Sequence, residues 1–446
     1  MGSILTITSE NENLSYVLQK NPATIKESGK AFSRELRLGR VYGWFTNEAN
    51  TVFRLMFKDS VKASSFGGGV RGEYEYLDTT RYSHPYLINM MIEKALSTAM
   101  KVQHEQDTKP ATARFVVKAR PELMRKVGRV LNAGDVTTTL EEFTYGHFKV
   151  SITTPSVHET LNTVQLMCGI LSLKLEDSMM RLDKTGVQKY ITTMNRINAP
   201  YFCRYLFSSR ALPNIHMFNE LKPELDTEEI KLCYGDTRIQ RLYAIQEVLK
   251  GGSSLVDIGS GDMYQAMKLS SKYDSIVCID ADEAIAADNQ GKISGRNMEK
   301  FTSIHQRVDA AWVKENSLLL AGSDVLMTEV LEHMPYTEAI ALVKALQETS
   351  VHNIVITVPN KEFNQFYELA DEDTRHDDHK WEPTQEDLNA LFTLWSETSN
   401  EFKVTMKGIG DSVKGIHVST MFTLSRKSSA SQAAPAVEIP ETIEEV

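Results

Sequence analysis

Apolar positions along the chain change their period several times, and each change marks an element. Residues 1–35 are polar, with short helical pieces. Around 36–66, LRLGRVYGWF and NTVFRLMFKD alternate apolar and polar side chains, the period-2 pattern of half-buried strands. SSFGGGVRGEYEYLDTTRYSHP follows as a turn-rich loop, and YLINMMIEKALSTAM at 86–100 then carries its apolar residues at helical spacing. ATARFVVKA at 111–119 reads as a strand, PELMRKVGRVL as a helix with proline in its first turn, and HFKVSITT as a further strand. HETLNTVQLMCGILSLKLEDSMM at 158–180 has the composition of a buried helix. VQKYITTMNRINAPYFCRYLFSSRAL continues as helix, interrupted near Pro200.

A charged stretch containing Pro223, HMFNELKPELDTEEIKL at 216–232, ends this pattern. Beyond a helix at 234–249 come four short apolar segments, SSLVDIGSG, SIVCIDAD, SDVLMTEV and NIVITVPN, separated by helical or loop stretches. Such alternation builds a parallel sheet covered on both faces. The expected architecture is an α/β domain over 236–427, preceded by a separate α+β domain over 1–215, with 216–235 as the linker. After Lys427 the chain is small, polar and acidic without a basic residue, which predicts a disordered tail over 428–446.

Length and composition narrow the class. A chain of 446 residues suits two or three domains. It has no run of 18 apolar residues, so no membrane span is expected. The first twenty residues lack a basic segment followed by an apolar one and do not read as a signal peptide. Cys168, Cys203, Cys233 and Cys278 are widely spaced, which suits a reducing, cytoplasmic setting and argues against a disulfide framework or a Cys-ligated zinc. The formal net charge of −10 disfavours a long grip on nucleic-acid backbone, although a protein that holds only a terminus needs few phosphate contacts. Arg114, Lys118, Arg120, Arg125, Lys126 and Arg129 offer either RNA contacts or a solvated face. His84, His104, His147 and His158 are isolated and read as structural or surface groups.

Two segments carry candidate chemistry. LVDIGSG places Asp257 at the end of a strand, with Gly259 and Gly261 letting the backbone turn and approach a ligand closely. Asp280 ends the next strand, where a carboxylate can accept from ribose hydroxyls. The pattern fits S-adenosylmethionine, a nicotinamide dinucleotide or an ordinary strand–loop–helix turn. A dinucleotide fingerprint wants a third glycine, and Met263, Tyr264 and Gln265 follow instead. The second segment is TEVLEHMP, with Glu329, Glu332 and His333 at i, i+3 and i+4; a helix starting there would present all three on one side. A further cluster, RHDDHKWEPTQEDL, holds His376 and His379. Two carboxylates and two imidazoles form a mixed oxygen and nitrogen set, better suited to Mn²⁺, Fe²⁺ or Zn²⁺ than to Mg²⁺ alone. A six-coordinate ion on such a set would leave two positions for a vicinal diol.

With LVDIGSG, TEVLEH, VITVPNKEFN and RHDDHKWEPTQEDL on the page, the chain resembles the Hen1 family of RNA 3′-terminal ribose 2′-O-methyltransferases. YVLQKNP, SGKAF, the 86–100 segment and the 158–212 region are similar to the N-terminal domain of its bacterial members. The resemblance implies a class I, Rossmann-like methyltransferase domain that uses S-adenosylmethionine and Mn²⁺, with Mg²⁺ as second choice. It implies Glu329, Glu332, His333 and His379 as metal ligands, and Asp257, Gly259, Gly261, Asp280 and Gln306 as cofactor-binding residues. His376 is then an alternative ligand or the general base. Arg241 and Arg375 would meet the terminal phosphate or simply face solvent. The implied partners are an RNA 3′ end bearing a 2′,3′-diol and, through residues 1–215, a polynucleotide kinase-phosphatase-ligase of an RNA repair system. The chain departs from the family pattern at Pro383 and Gln385, where tryptophan and arginine are usual, and at Ser260, where cysteine is common. Two other readings remain open: a metal-dependent small-molecule O-methyltransferase, and a non-catalytic assembly subunit.

Overall fold

The computed structural model describes residues 3–23, 31–36, 39–59, 82–132, 134–173, 182–367, 374–398 and 400–427. Most of the turn-rich loop expected after residue 63, the end of the 158–180 helix and the acidic tail lie outside them. The chain divides into two compact units. One comprises residues 1–240 with 362–375 and 410–417; the other comprises 241–361, 376–409 and 418–446.

The first unit holds a seven-stranded antiparallel sheet, ordered β2-β3-β4-β1-β5-β7-β6. Its strands are β1 (Ser3–Ser9), β2 (Phe32–Leu36), β3 (Gly39–Phe45), β4 (Val52–Asp59), β5 (Ala111–Lys118), β6 (Thr137–Thr144) and β7 (His147–Thr154). Residues 1–35 hold one short helical piece, Leu14–Val17, as expected, but also strand β1, which the reading of this stretch as polar with helical pieces did not include. β1 is a central strand, with Leu5 opposite Leu55 on one side and Phe115 on the other. Leu5 and Ile7 are fully buried while Ile4 is exposed, so the two-residue alternation turns one face inward. Ala111, Ala113, Phe115 and Val117 do the same on β5.

Helices Pro85–Ala95 and Val157–Leu173 cover that apolar face. The second is buried along almost its whole length, because helices Lys184–Arg196 and Tyr201–Ala211 pack on it as well. Gly169 allows this approach: a Cβ there would lie 2.3 Å from Cε1 of Tyr190. Two histidines of this unit make local backbone contacts. His84 Nδ1 accepts from Tyr86 N–H at 3.1 Å, starting the helix that opens with Pro85. His158 Nδ1 lies 2.9 Å from the Ala99 carbonyl. In helix Pro121–Leu131, Met124, Val127 and Val130 are buried, while Arg125, Lys126 and Arg129 take the exposed face. Arg125 pairs there with Glu142 at 3.0 Å.

The charged stretch expected as a linker carries helix Ile215–Leu225, with Pro223 inside it, and strand β8 (Ile230–Lys231). The Asn214 side chain caps the helix by accepting from Met217 N–H at 2.9 Å, and Phe218, Leu221 and Leu225 are buried. Packing of those three side chains outweighs the polar appearance of the segment. Strand β8 pairs with Ser412 and Val413.

In the second unit, β9 (Gly252–Ile258), β10 (Tyr273–Asp280), β11 (Phe301–His305), β12 (Asp324–Thr328) and β13 (Asn353–Pro359) form the parallel sheet expected. β14 (Phe402–Val413) and β15 (Ile416–Arg426), apart from residues 410–417, which fall in the first unit, complete the order β11-β10-β9-β12-β13-β15-β14, with β15 antiparallel to β13. Both faces are buried. Val256, Ile258, Val325, Met327, Ile354 and Ile356 enter one core with helices Tyr336–Gln347 and Gln385–Thr398. Leu255, Cys278, Leu326 and Val355 enter another with residues 242–249 and helix Tyr264–Leu269. This is a Rossmann-like α/β fold, preceded by a separate α+β domain. The strand order reverses between β10-β9 and β12, so the loops after β9, β10 and β12 converge at the carboxyl edge, where such sheets bind ligands.

Candidate active site

The loop after β9 is built from left-handed residues: Gly259 at φ +68°, Gly261 at φ +52° and Met263 at φ +64°. At Gly259 a side chain is excluded twice, since a Cβ would also lie 2.5 Å from Val330 Cγ2. At Gly261 the Cβ position faces open space. The Gly261 N–H donates to Asp280 Oδ2 at 2.8 Å, and its carbonyl accepts from Asn289 Nδ2 at 2.7 Å. The other Asp280 oxygen accepts from Asp282 N–H at 3.0 Å. Each carboxylate oxygen keeps a second lone pair. Gln306 sits alongside, its N–H donating to the Asp280 carbonyl at 2.8 Å.

Asp257 lies beneath the turn, buried, with no side-chain partner and no well-formed hydrogen bond to either oxygen. Burial pushes its carboxyl up to about 7, the Asp280 charge adds to this, and the Ala266 amide opposes it. A buried acceptor without a donor is costly unless a ligand supplies one. An amino group or hydroxyl above the glycine turn would do so. The five residues expected to bind the cofactor therefore meet at one sheet edge.

The second half of the site corrects an expectation. No helix begins at Glu329. That residue is left-handed at φ +54°, one 3-10 turn spans Leu331–His333, and the helix starts only at Tyr336. Pro335 forces the break by holding Met334 extended at φ −116°, ψ 159°. Glu332, His333 and His379 nonetheless come together, with one potential ligand atom from each within 4.8 Å of the others. A backbone bond, Lys380 N–H to the Glu332 carbonyl at 2.8 Å, ties the two segments.

Glu332 is fully buried, and neither carboxylate oxygen has a hydrogen-bond partner. Burial raises its pKa well above the ordinary carboxylate range, and the nearby Glu329 charge reinforces this. His379 Nδ1 lies 2.5 Å from Glu382 Oε1, with both side chains buried. A carboxylate only accepts, so it places the proton on Nδ1 and leaves the Nε2 lone pair as the available donor to a cation. His333 Nδ1 contacts Asp378 Oδ2 at 3.1 Å, on the exposed side. A divalent cation fits this set, which joins a buried carboxylate without a side-chain hydrogen bond to imidazole nitrogens.

Glu329 and His376 lie outside the three-residue group. The Glu329 carboxylate accepts from Thr357 Oγ1 at 3.1 Å and pairs with Arg241 at 3.3 Å. His376 is exposed, its ring centroid 5.2 Å from that of His379. Arg375, in the first unit, donates from Nε to Asn364 Oδ1 at 2.6 Å. Sequence reasoning missed Glu382 and Thr357. The His-x-x-Glu spacing of 379 and 382 was a usable signal for the first; nothing local marked Thr357.

The sequence profile of the Hen1 N-terminal domain matches residues 4–230. Among solved structures, the chain is similar to the Pnkp1/Rnl/Hen1 RNA repair complex, with a TM-score of 0.72 and 21% identity over 95% of this chain and 100% of that one. A second structure of the Pnkp1/Rnl/Hen1 complex gives a TM-score of 0.72 and 22% identity, again over 95% and 100%. At such identities the likeness is one of fold. No curated protein matches the chain.

Proposed function

Because the chain belongs to the Hen1 family, we propose that it transfers a methyl group from S-adenosylmethionine to the 2′-hydroxyl of the 3′-terminal ribose of RNA. The observation that carries this reading is the pairing, at one sheet edge, of the glycine turn over Asp257 with the Glu332, His333 and His379 group. Asp257, Gly259, Gly261, Asp280 and Gln306 would hold the methyl donor. Glu332, His333 and His379, joined by Glu329, would hold Mn²⁺ or Mg²⁺. When bound, these groups supply an electrophilic methyl and a Lewis-acidic anchor for vicinal hydroxyls.

The protein's own part is positioning and proton handling. Glu382 keeps the proton on His379 Nδ1 and fixes that ring. His376, exposed at the edge of the cluster, accepts the proton released by the 2′-hydroxyl. Arg241 orients Glu329. Residues 1–215 dock a kinase-phosphatase-ligase partner, 216–235 connect them to the catalytic domain at 236–427, and the protein works in the cytoplasm on RNA ends under repair. Among the described residues no helix is long and apolar enough to cross a membrane.

The test uses the full chain, methyl-labelled S-adenosylmethionine and an RNA ending in a 2′,3′-diol, with and without Mn²⁺, beside the same RNA ending in 2′-deoxyribose. Label transfer that needs both the diol and the metal is expected. Transfer to the deoxy end refutes the acceptor, and transfer to a catechol alone selects a small-molecule enzyme. Failure to bind S-adenosylmethionine selects the non-catalytic subunit.

A further inference from the structure

Within the first unit, far along the chain from the chemistry above, a cleft of about 330 Å³ opens beside helix Lys184–Arg196. Arg34, Lys94, Lys101, Lys189 and Arg196 line it, with Glu93 as its acidic group. This balance is the reverse of the chain's formal charge of −10. Among the described residues, no ion pair engages any of the five cations. Lys94, Lys101 and Arg196 end their helices, where a cation also complements the helix dipole. Arg34, on a strand, donates from Nη1 to the Lys94 carbonyl at 2.5 Å, so among the five Lys189, inside its helix, is the cation that neither reason covers.

The cleft also has a polar lining of buried side chains. Gln165 and Thr193 are each 1% exposed. Thr193 Oγ1 donates to Gln165 Oε1 at 2.8 Å, and Gln165 Nε2 donates to Glu93 Oε1 at 3.2 Å. Two helices that met only for packing would bury apolar side chains at this place. Instead a chain of hydrogen bonds orients the Glu93 carboxylate beside the cavity. Among the described residues no aromatic side chain lines the cleft, so none of them would stack a base.

We propose that this cleft binds a phosphorylated sugar, its phosphate held by Lys189 and the surrounding cations and its hydroxyls donating to Glu93. The cations alone would select any phosphate; the oriented carboxylate repels a bare anion and favours one that also carries hydroxyls. The volume is at the scale of small-ligand pockets, which begin at about 300 Å³. The sugar phosphate reaches the cleft either as a free molecule or as part of an RNA strand.

Calorimetric titration of the full chain tests this with inorganic phosphate, ribose 5-phosphate and a short single-stranded RNA. Ribose 5-phosphate should bind more tightly than phosphate. Lys189→Glu, at an exposed position, should weaken it about ten-fold and more so at low salt. Glu93→Gln should retain phosphate binding and lose the preference for the sugar. RNA that ribose 5-phosphate displaces from the wild type, and that Lys189→Glu also weakens, identifies a strand as the source; RNA insensitive to both identifies a free sugar phosphate. Ribose 5-phosphate that fails to bind, or that binds Lys189→Glu as well as wild type, overturns the proposal. So does Lys189-dependent capture of a glutamate-rich peptide in the absence of sugar-phosphate binding, which would make the cleft a protein-docking surface.

Discussion

Removing the Glu382 carboxylate should weaken metal binding while sparing the methyl-donor site. The contact is short, 2.5 Å between His379 Nδ1 and Glu382 Oε1, and both side chains are almost wholly buried. A hydrogen bond to a charged group is worth roughly 1.5–3 kcal/mol. Loss of such a partner to a metal-binding histidine typically costs about 10–100-fold in affinity, roughly 1.4–2.8 kcal/mol, so the two scales agree. Glu382→Gln keeps the volume and an acceptor but loses the charge, and should fall near ten-fold. Glu382→Ala leaves Nδ1 without its partner and frees the ring, and should fall near a hundred-fold. Calorimetric titration of Mn²⁺ reads this directly, with S-adenosylmethionine affinity as the control for folding. Mn²⁺ affinities within two-fold of wild type in both variants would refute the orienting role of Glu382. A wild-type protein that does not bind Mn²⁺ would refute the metal assignment itself.

Three further outcomes are expected. The Asp257 carboxyl, raised from 3.8 to about 7 by burial, favours the ligand-free fold below pH 4 and loses that advantage as pH rises through 7, an effect of up to roughly 4 kcal/mol. Urea midpoints without cofactor should therefore drop less between pH 5 and 8 in Asp257→Asn than in wild type, and equal drops would contradict the burial argument. Gly259→Ala should abolish binding of S-adenosylmethionine through both its left-handed φ and the 2.5 Å clash with Val330; adding Val330→Ala should recover stability only in part, because about 1–2 kcal/mol of backbone strain remains. Full recovery would mean that φ is not limiting there. Arg204, fully buried, donates to the carbonyls of Met194, Ala199 and Leu225 and to Asn195 Oδ1, so Arg204→Met should destabilise the first unit by about 3–5 kcal/mol. A melting temperature unchanged by this substitution would show that those acceptors find other donors.

The parallel strands β9, β10, β12 and β13 and the glycine turn were legible in the sequence because their causes are local. Short apolar runs bounded by Gly and Asp admit few alternatives, and a backbone that must be left-handed at Gly259 and Gly261 shows as glycine. The short strand β11, with only Phe301 buried, and the long pair β14 and β15 carried no such signal and were not read. Strand β1 was hidden for a related reason: only Leu5 and Ile7 are apolar on its inner face, and the neighbours that make it central are about fifty and a hundred residues away. Helix Ile215–Leu225 reads as linker until Phe218, Leu221 and Leu225 have something to pack against. At the site, residue types and spacing singled out Glu329, Glu332 and His333 and a second cluster holding His376 and His379, and the family resemblance pointed to His379 among them. Only the folded chain decides that Glu332, His333 and His379 meet within 4.8 Å, that Glu332 is buried without a side-chain hydrogen bond, that Glu382 orients His379, and that Glu329 turns toward Thr357 and Arg241. Those facts depend on contacts between segments about fifty residues apart, held by a backbone bond from Lys380 to Glu332 and by a proline that stops a helix, and no local pattern encodes such distances.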